Sequence, residues 1–332
     1  HPPPPTVSMG PGAAVGCACP RGAVRVRCSA ICLKRRPDRW EACEAHLRQS
    51  LPEDVEFCMF EAVDGSAVGH LLPDVDAVER ALGMRLYRDW PVCETEDLRR
   101  LFPEDTAELR EPDVWAWYVR QFRSRWPSER CDIYINFHCR HSTLGEVACA
   151  LSHLAVIDKA IADGMDVQVV FEDDARPSCR ALPALLEQVD LLERLGKPWD
   201  LIYLRSSKYD RVAEELYTEG SPLRVAVHRK CTDAYALSQS GMAKIATSGF
   251  RESVFAIDDF VPALYSGHPR RDVEKLDCVR RVRAQGFVCL TFPDAAEDEE
   301  PLSTNAKLRS DTNRSPCILG DHGATCSDSD PE

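Results

Sequence analysis

The chain has 332 residues, 44% hydrophobic and 29% charged, enough to bury one sizeable core or two small ones. A formal net charge of -13 argues against nucleic acid or an anionic membrane as the main partner, because either selects a basic surface. No uninterrupted run of about 18 apolar residues occurs, so no bilayer-spanning helix is expected.

Residues 1 to 25 open with four prolines and continue in Gly, Ala and Cys, a composition without a periodic apolar face, and a disordered leader is expected. A start at His1 rather than Met suggests a fragment or a processed form. Val24 to Leu33 reads as a strand that runs into the basic stretch Lys34-Arg35-Arg36-Pro37-Asp38-Arg39. Trp40 to Leu51 then has helical spacing, with Trp40, Cys43 and Leu47 on one face. Val55 to Val63 is a second strand, closed by the turn dipeptide Asp64-Gly65. Residues 66 to 142 are broken by Pro91, Pro103, Pro112 and Pro127 and read as a variable insertion. Its aromatic stretch, Trp115 to Trp126, suits either a small core or a stacking surface for sugar or peptide.

Order returns at Ser142, a candidate cap for a helix that carries Val147, Leu151, Leu154 and Ile157 and runs to Gly164. A strand from Val167 to Phe171, a Leu-rich helix from Leu182 to Leu195 and a strand from Trp199 to Leu204 follow. Tyr235 to Ser238 is a short strand before a helix through Met242 to Ala246, Phe287 to Phe292 is a late strand, and 313 to 332 read as a disordered tail. Repeated alternation of strand and helix implies an α/β fold with a largely parallel sheet covered on both faces, and ligands at the carboxyl ends of its strands.

One such end is Phe171-Glu172-Asp173-Asp174. Alternating side chains would put Glu172 and Asp174 on one face as two oxygen ligands for a hard divalent metal, with Asp173 on the other. A solvated acidic turn is the structural alternative. Sixteen cysteines are dispersed, with only Cys17 and Cys19 within two residues of each other and no CxxC. That spacing excludes paired zinc knuckles and leaves scattered buried thiols or a partial disulfide set in an oxidising compartment.

Several segments in order resemble glycosyltransferase family 25, which contains bacterial lipooligosaccharide galactosyltransferases and animal collagen galactosyltransferases. They are Ile31 to Arg39 with Ala62-Val63-Asp64-Gly65, Leu144-Gly145-Glu146-Val147-Ala148-Cys149-Ala150-Leu151-Ser152-His153, Val169 to Asp174, Trp199 to Leu204, Ala234 to Ser238 and Ala256-Ile257-Asp258-Asp259-Phe260. The acidic strand end, Trp199-Asp200-Leu201-Ile202-Tyr203-Leu204 and Arg309-Ser310-Asp311-Thr312 are closest to the collagen-type members.

The resemblance implies a GT-A-like single catalytic domain over about residues 26 to 312, a UDP-galactose donor, manganese or a similar divalent ion, and inversion at the anomeric carbon. It assigns the metal to Glu172 and Asp174, with Asp173 behind them. It assigns the acceptor-side base to Asp258 or Asp259, whose structural alternative is a helix N-terminus capped by Asp258. Arg35 and Arg39 would pair phosphate oxygens, and Asp64 and Glu146 would also serve the nucleotide. His153, seven residues from Glu146 on the same helix face, is either a metal or phosphate contact or a supporting group. The expected acceptor is a hydroxyl, hydroxylysine of a collagen-like chain or else a lipooligosaccharide or other surface glycan. The collagen-type reading implies the endoplasmic reticulum lumen or secretory pathway. A non-catalytic nucleotide-sugar or glycan-binding module and a metal-dependent phosphohydrolase are the rival classes.

The chain departs from the family pattern in three places. Arg205 stands where the family commonly has Gly, Thr291 to Lys307 lacks a His-containing stretch, and one catalytic unit is present where animal collagen enzymes carry two.

Overall fold

The computed structural model describes residues 24–53, 55–72, 74–88, 99, 107–110, 142–208, 212–268, 271–293 and 303–305. The aromatic stretch Trp115 to Trp126, nearly all of the expected leader, the acidic run from Asp294 and the expected tail lie outside them.

β1 (Val26–Cys32) is buried along nearly its whole length, as a strand covered on both faces must be, so it reads as a continuous apolar run instead of an alternation. α1 (Pro37–Ser50) begins inside the expected basic loop, because Pro37 has the φ of a first helical residue and lacks only an N–H that a helix start leaves unpaired. Arg39 therefore lies in the first helical turn. β2 (Glu56–Glu61) leads to a 3₁₀ turn at Gly65–Leu71 and α2 (Val75–Leu82). Gly65 is more than a turn residue: a Cβ there would lie 2.5 Å from the Leu144 carbonyl oxygen, so only glycine lets this turn meet the next long helix.

That helix, α3 (Leu144–Ala162), is capped by Thr143, not Ser142. Thr143 Oγ1 accepts from the Glu146 N–H while Glu146 Oε2 accepts from the Thr143 N–H, a reciprocal capping box. Gly164, at φ +68°, then turns the chain into β3 (Val167–Glu172). β4 (Ala175–Pro177), α4 (Ala181–Arg194), β5 (Leu201–Lys208), β6 (Arg224–Val225) and β7 (Arg229–Ser238) follow. α5 (Gln239–Ala246), α6 (Ile257–Tyr265), α7 (Arg271–Glu274), α8 (Asp277–Ala284), β8 (Cys289–Thr291) and β9 (Ser303–Asn305) complete the order.

The main sheet runs β2-β1-β3-β7-β5-β8-β6. β2, β1, β3, β5 and β8 point one way, while β7 and β6 oppose them. The sheet is thus mostly parallel, with one antiparallel strand at its centre, and β7 is much longer than the expected strand at Tyr235 to Ser238. Because β7 runs backwards, its first residues arrive at the rim where β1, β3 and β5 end. Two cores cover the faces, one packed by α1 and α4, the other by α2, α3, α5, α6 and α8. Val78, Met84, Leu86 and Tyr87, at the start of the expected insertion, belong to the second core, and Leu86 bridges to Val254.

Candidate active site

The rim where β1 and β3 end and β7 begins collects the acidic residues. Glu172 closes β3, and Asp173 and Asp174 form the turn after it, so strand alternation stops short of them. Asp173 is turned toward α1, where Arg39 Nη2 stands 2.5 Å from its Oδ1 and Cys32 Sγ 3.6 Å from its Oδ2. The same Arg39 nitrogen is 3.7 Å from Asp174 Oδ2. Arg39 is only 5% exposed and pairs carboxylates here, whereas the sequence reading turned it toward phosphate. Burial pushes the Asp173 carboxyl up to about 6, with Arg39 opposing the shift.

Glu172 faces α3 and β7. His153 Nε2 is 3.4 Å from Glu172 Oε1, and His153 Nδ1 is 2.8 Å from the Tyr235 hydroxyl. Thr232 Oγ1 lies 3.1 Å from Glu172 Oε1 and 2.7 Å from Asp258 Oδ1. One hydroxyl carries one proton, so both contacts are hydrogen bonds only when one carboxyl is protonated. Burial, followed by the charge of Glu172, pushes Asp258 up to about 6. Burial also acts to raise Glu172, but the nearby His153 ring and the Thr232 hydroxyl bring it below the ordinary value. Below about pH 6 the proton therefore sits on Asp258, which donates to Thr232, which donates to Glu172.

Asp258 and Asp259 part company. The helix cap is Ala256, so Asp258 is not the cap but the second residue of α6, aimed into the acidic rim. Asp259 turns the other way, 3.8 Å from His268 Nε2. Arg35 Nε donates to Asp64 Oδ2 at 2.7 Å, bringing two expected nucleotide residues together at the ends of β1 and β2. Asp64 also accepts from the Ser66 N–H and hydroxyl, capping the 3₁₀ turn. Glu146, placed by the sequence reading beside the nucleotide, closes the cap of α3.

The helix motif now has a physical reading. Ser152 Oγ donates to the Ala148 carbonyl and accepts from the Val63 N–H at 2.8 Å, tying the Asp64 loop to α3. Cys149 and His153, one turn apart, face the acidic rim.

Sequence reasoning missed Asp233. It is 3% exposed, and neither of its carboxylate oxygens meets a hydrogen-bond donor from another described residue. Burial, then the charges of Glu172 and Asp174, push it up to about 7, while half-buried Arg205 pulls the other way. Arg205 pairs with Ala234 where the β5–β7 register shifts. Cys231, two residues before Asp233, is at φ +73°, the only described non-glycine residue with positive φ. Such a kink in a strand re-aims the side chains that follow it. The available signal was the reading of Tyr235 as strand, since period 2 places Asp233 beside it.

Oxygen donors suit a hard divalent ion. Asp174 Oδ1 is buried and, like Asp233, meets no donor from another described residue, and its carboxyl is raised by burial and then by Glu172. Glu172, Asp174 and Asp233 repel one another across the rim, charge that a cation would relieve, but their oxygens are not gathered within 4.8 Å of one another, so a shared ion would require the side chains to move together. The described cysteines, Cys28, Cys32, Cys43, Cys58, Cys149, Cys179, Cys231, Cys278 and Cys289, are free thiols.

A mixed sheet between two helical layers, with acidic side chains at its carboxyl rim, defines an α/β protein of the GT-A-like class. The sequence matches the family described as "Glycosyltransferase family 25 (LPS biosynthesis protein)" over residues 29–261, and the chain belongs to glycosyltransferase family 25. It is 40% identical over 131 residues to mouse "Inactive glycosyltransferase 25 family member 3", which covers 38% of this chain and 22% of the mouse protein. To human "Procollagen galactosyltransferase 2" it is 24% identical over 240 residues, 72% of this chain and 30% of the human protein. An Aedes aegypti "Glycosyltransferase 25 family member" is 29% identical over 133 residues, 40% of this chain and 22% of the mosquito protein. The chain spans less than a third of the length of each of these relatives.

Proposed function

We propose that the chain transfers galactose from UDP-galactose to an acceptor hydroxyl with inversion, assisted by a divalent ion of the manganese type. The observation that carries this is that the charge of Glu172 acts on Asp174, Asp233 and Asp258 alike at the rim, with three buried carboxylate oxygens on Asp174 and Asp233 meeting no donor from another described residue. Glu172, Asp174 and Asp233 would hold the ion, with Asp173 locked behind them by Arg39. When bound, such an ion stabilises negative charge developing on the UDP leaving group. Asp258 takes the proton of the acceptor hydroxyl as that oxygen bonds to the anomeric carbon and the sugar-to-diphosphate bond breaks. Thr232 holds Asp258 in place between turnovers. Asp259, turned to His268, supports the helix start.

The resemblance to a procollagen galactosyltransferase supports hydroxylysine of a collagen-like chain as acceptor and the secretory pathway as location; a surface glycan is the other acceptor. A non-catalytic nucleotide-sugar-binding module is favoured by two specific observations. Relatives named inactive match at up to 40% identity, and Arg205 stands where the family commonly has Gly.

Incubation with UDP-galactose, manganese and a collagen-like peptide should release UDP and give a galactosylated peptide by mass. Glu172→Ala with Asp174→Ala should lower the rate by at least about 100-fold. UDP binding by calorimetry with no sugar transfer to peptide or glycan acceptors would establish the binding module instead.

A further inference from the structure

The acidic rim contains a second and chemically different set of ligands. Cys149 and His153 stand one helical turn apart on α3, and the Cys149 Sγ, a His153 ring nitrogen and a Glu172 carboxylate oxygen lie within 4.8 Å of one another. Among the described residues this is the one group of three or more such side chains gathered so closely. His153 is 0% exposed, its Nδ1 engaged by the Tyr235 hydroxyl, and its buried Nε2 faces Glu172 without completing a hydrogen bond. A buried imidazole with one nitrogen held by a hydrogen-bonding partner and the other aimed at a thiol and a carboxylate has the form of a metal ligand. The held nitrogen fixes the ring and its tautomer, and the free lone pair points at the ion.

We propose that Cys149, His153 and Glu172 form a three-ligand site for a zinc-type divalent cation, and that occupation of this site withdraws Glu172 from the oxygen-ligand site. Binding alone follows from the geometry; the competition rests on the reading of Glu172 as a ligand of the manganese-type ion. Thiolate and imidazole select zinc over manganese, whereas Glu172, Asp174 and Asp233 offer oxygen alone. Bonds of about 2.0–2.3 Å put tetrahedral ligand atoms roughly 3.3–3.8 Å apart, so the cluster closes on an ion by about 1 Å of side-chain movement. The Cys149 proton leaves to solvent as the sulfur binds, and the Tyr235 oxygen accepts from the His153 Nδ1–H. The Glu172 side chain is 31% exposed, leaving a path for entry, and a water would complete the tetrahedron. Two ions of different softness would thus divide one glutamate between them, and zinc would act as an inhibitor.

The metal-free full chain, kept reduced, is titrated with Co²⁺ and followed by absorption. A tetrahedral visible spectrum with a thiolate-to-cobalt charge-transfer band is expected, and zinc should bleach it. Cys149→Ser should remove the charge-transfer band and weaken binding at least tenfold, whereas Cys179→Ser, at an exposed thiol outside the cluster, should leave both intact. X-ray absorption of the zinc-loaded parent chain should show one sulfur ligand, a reading that does not depend on any variant folding. Absence of the band, its survival in Cys149→Ser, or a zinc shell without sulfur overturns the site. In the transfer assay, zinc should raise the manganese concentration for half-maximal UDP release at least tenfold, and an unchanged requirement overturns the competition. If no sugar is transferred at all, the functional reading fails while the cobalt spectrum still decides the site.

Discussion

Thr232 stands between Glu172 and Asp258 with a single hydroxyl shared by two carboxyl groups, so the protonation of one is felt by the other. Thr232→Val keeps the shape and removes the shared proton. Loss of a hydrogen bond to a charged group, about 1.5–3 kcal/mol, should lower sugar transfer roughly 10- to 100-fold. The apparent pKa of the basic group in the rate profile should move as well. Steady-state kinetics across pH with the valine variant measure both, and an unchanged profile would remove Thr232 from the machinery.

Arg39 is a buried cation serving two carboxylates. Arg39→Met leaves Asp173 buried without its partner, and stability should fall by about 3–5 kcal/mol in urea unfolding. Adding Asp173→Asn to Arg39→Met should recover at least half of that loss, because the stranded charge is gone. If Arg39 instead acts chiefly on phosphate, the single variant unfolds like the parent and loses UDP affinity.

Glu146 offers a clean separation between cap and nucleotide ligand. As a partner in the capping box, its replacement by Ala should cost about 1 kcal/mol of stability and leave UDP affinity within twofold. A tenfold loss of UDP affinity by calorimetry would make it a nucleotide residue.

His228 sets an acid limit to stability. It is 1% exposed, with Nδ1 3.2 Å from both Ser266 Oγ and the Gly267 carbonyl oxygen. Burial, then the neighbouring His268, push it down to about 4. Between pH 6.5 and 4 the unfolded chain binds a proton that the folded chain does not, so stability falls on acidification and levels off below about pH 4. The full effect is on the order of 3 kcal/mol. Urea midpoints at pH 7.5 and 4.5 should differ less in His228→Gln than in the parent, and equal differences would assign the slope to other groups.

The parts of the fold legible in the sequence are those where one local pattern has one outcome. The run Val167 to Phe171 with its carboxylates marked a strand end, and Leu144 to His153 marked a helix with its cap a residue away. The start and direction of β7 were hidden because Arg229-Lys230-Cys231-Thr232-Asp233 is polar and reads as loop; only the neighbours β3 and β5 make it strand. Asp233 was hidden with it. The burial of Arg39 was equally invisible, since an arginine in a first helical turn is ordinarily solvated, and it takes Asp173 from a distant segment to draw it in. The residues after Asp64-Gly65 read as insertion because Pro and Gly interrupt their period, yet Val78 and Tyr87 pack in the core.

The antiparallel β7 at the centre of the sheet also shapes how the chain must be made. β1, β2 and β3 are synthesised first and can pair at once, but the free edge of β3, carrying Val167, Val169, Val170 and Phe171, waits for β7. At about 5–20 residues per second the intervening chain takes several seconds to emerge. Throughout that interval an apolar, unguarded strand edge faces the crowded surroundings of the ribosome, where it can template association with other chains. Nascent chains stalled before Arg229 should accordingly be the ones most dependent on chaperones.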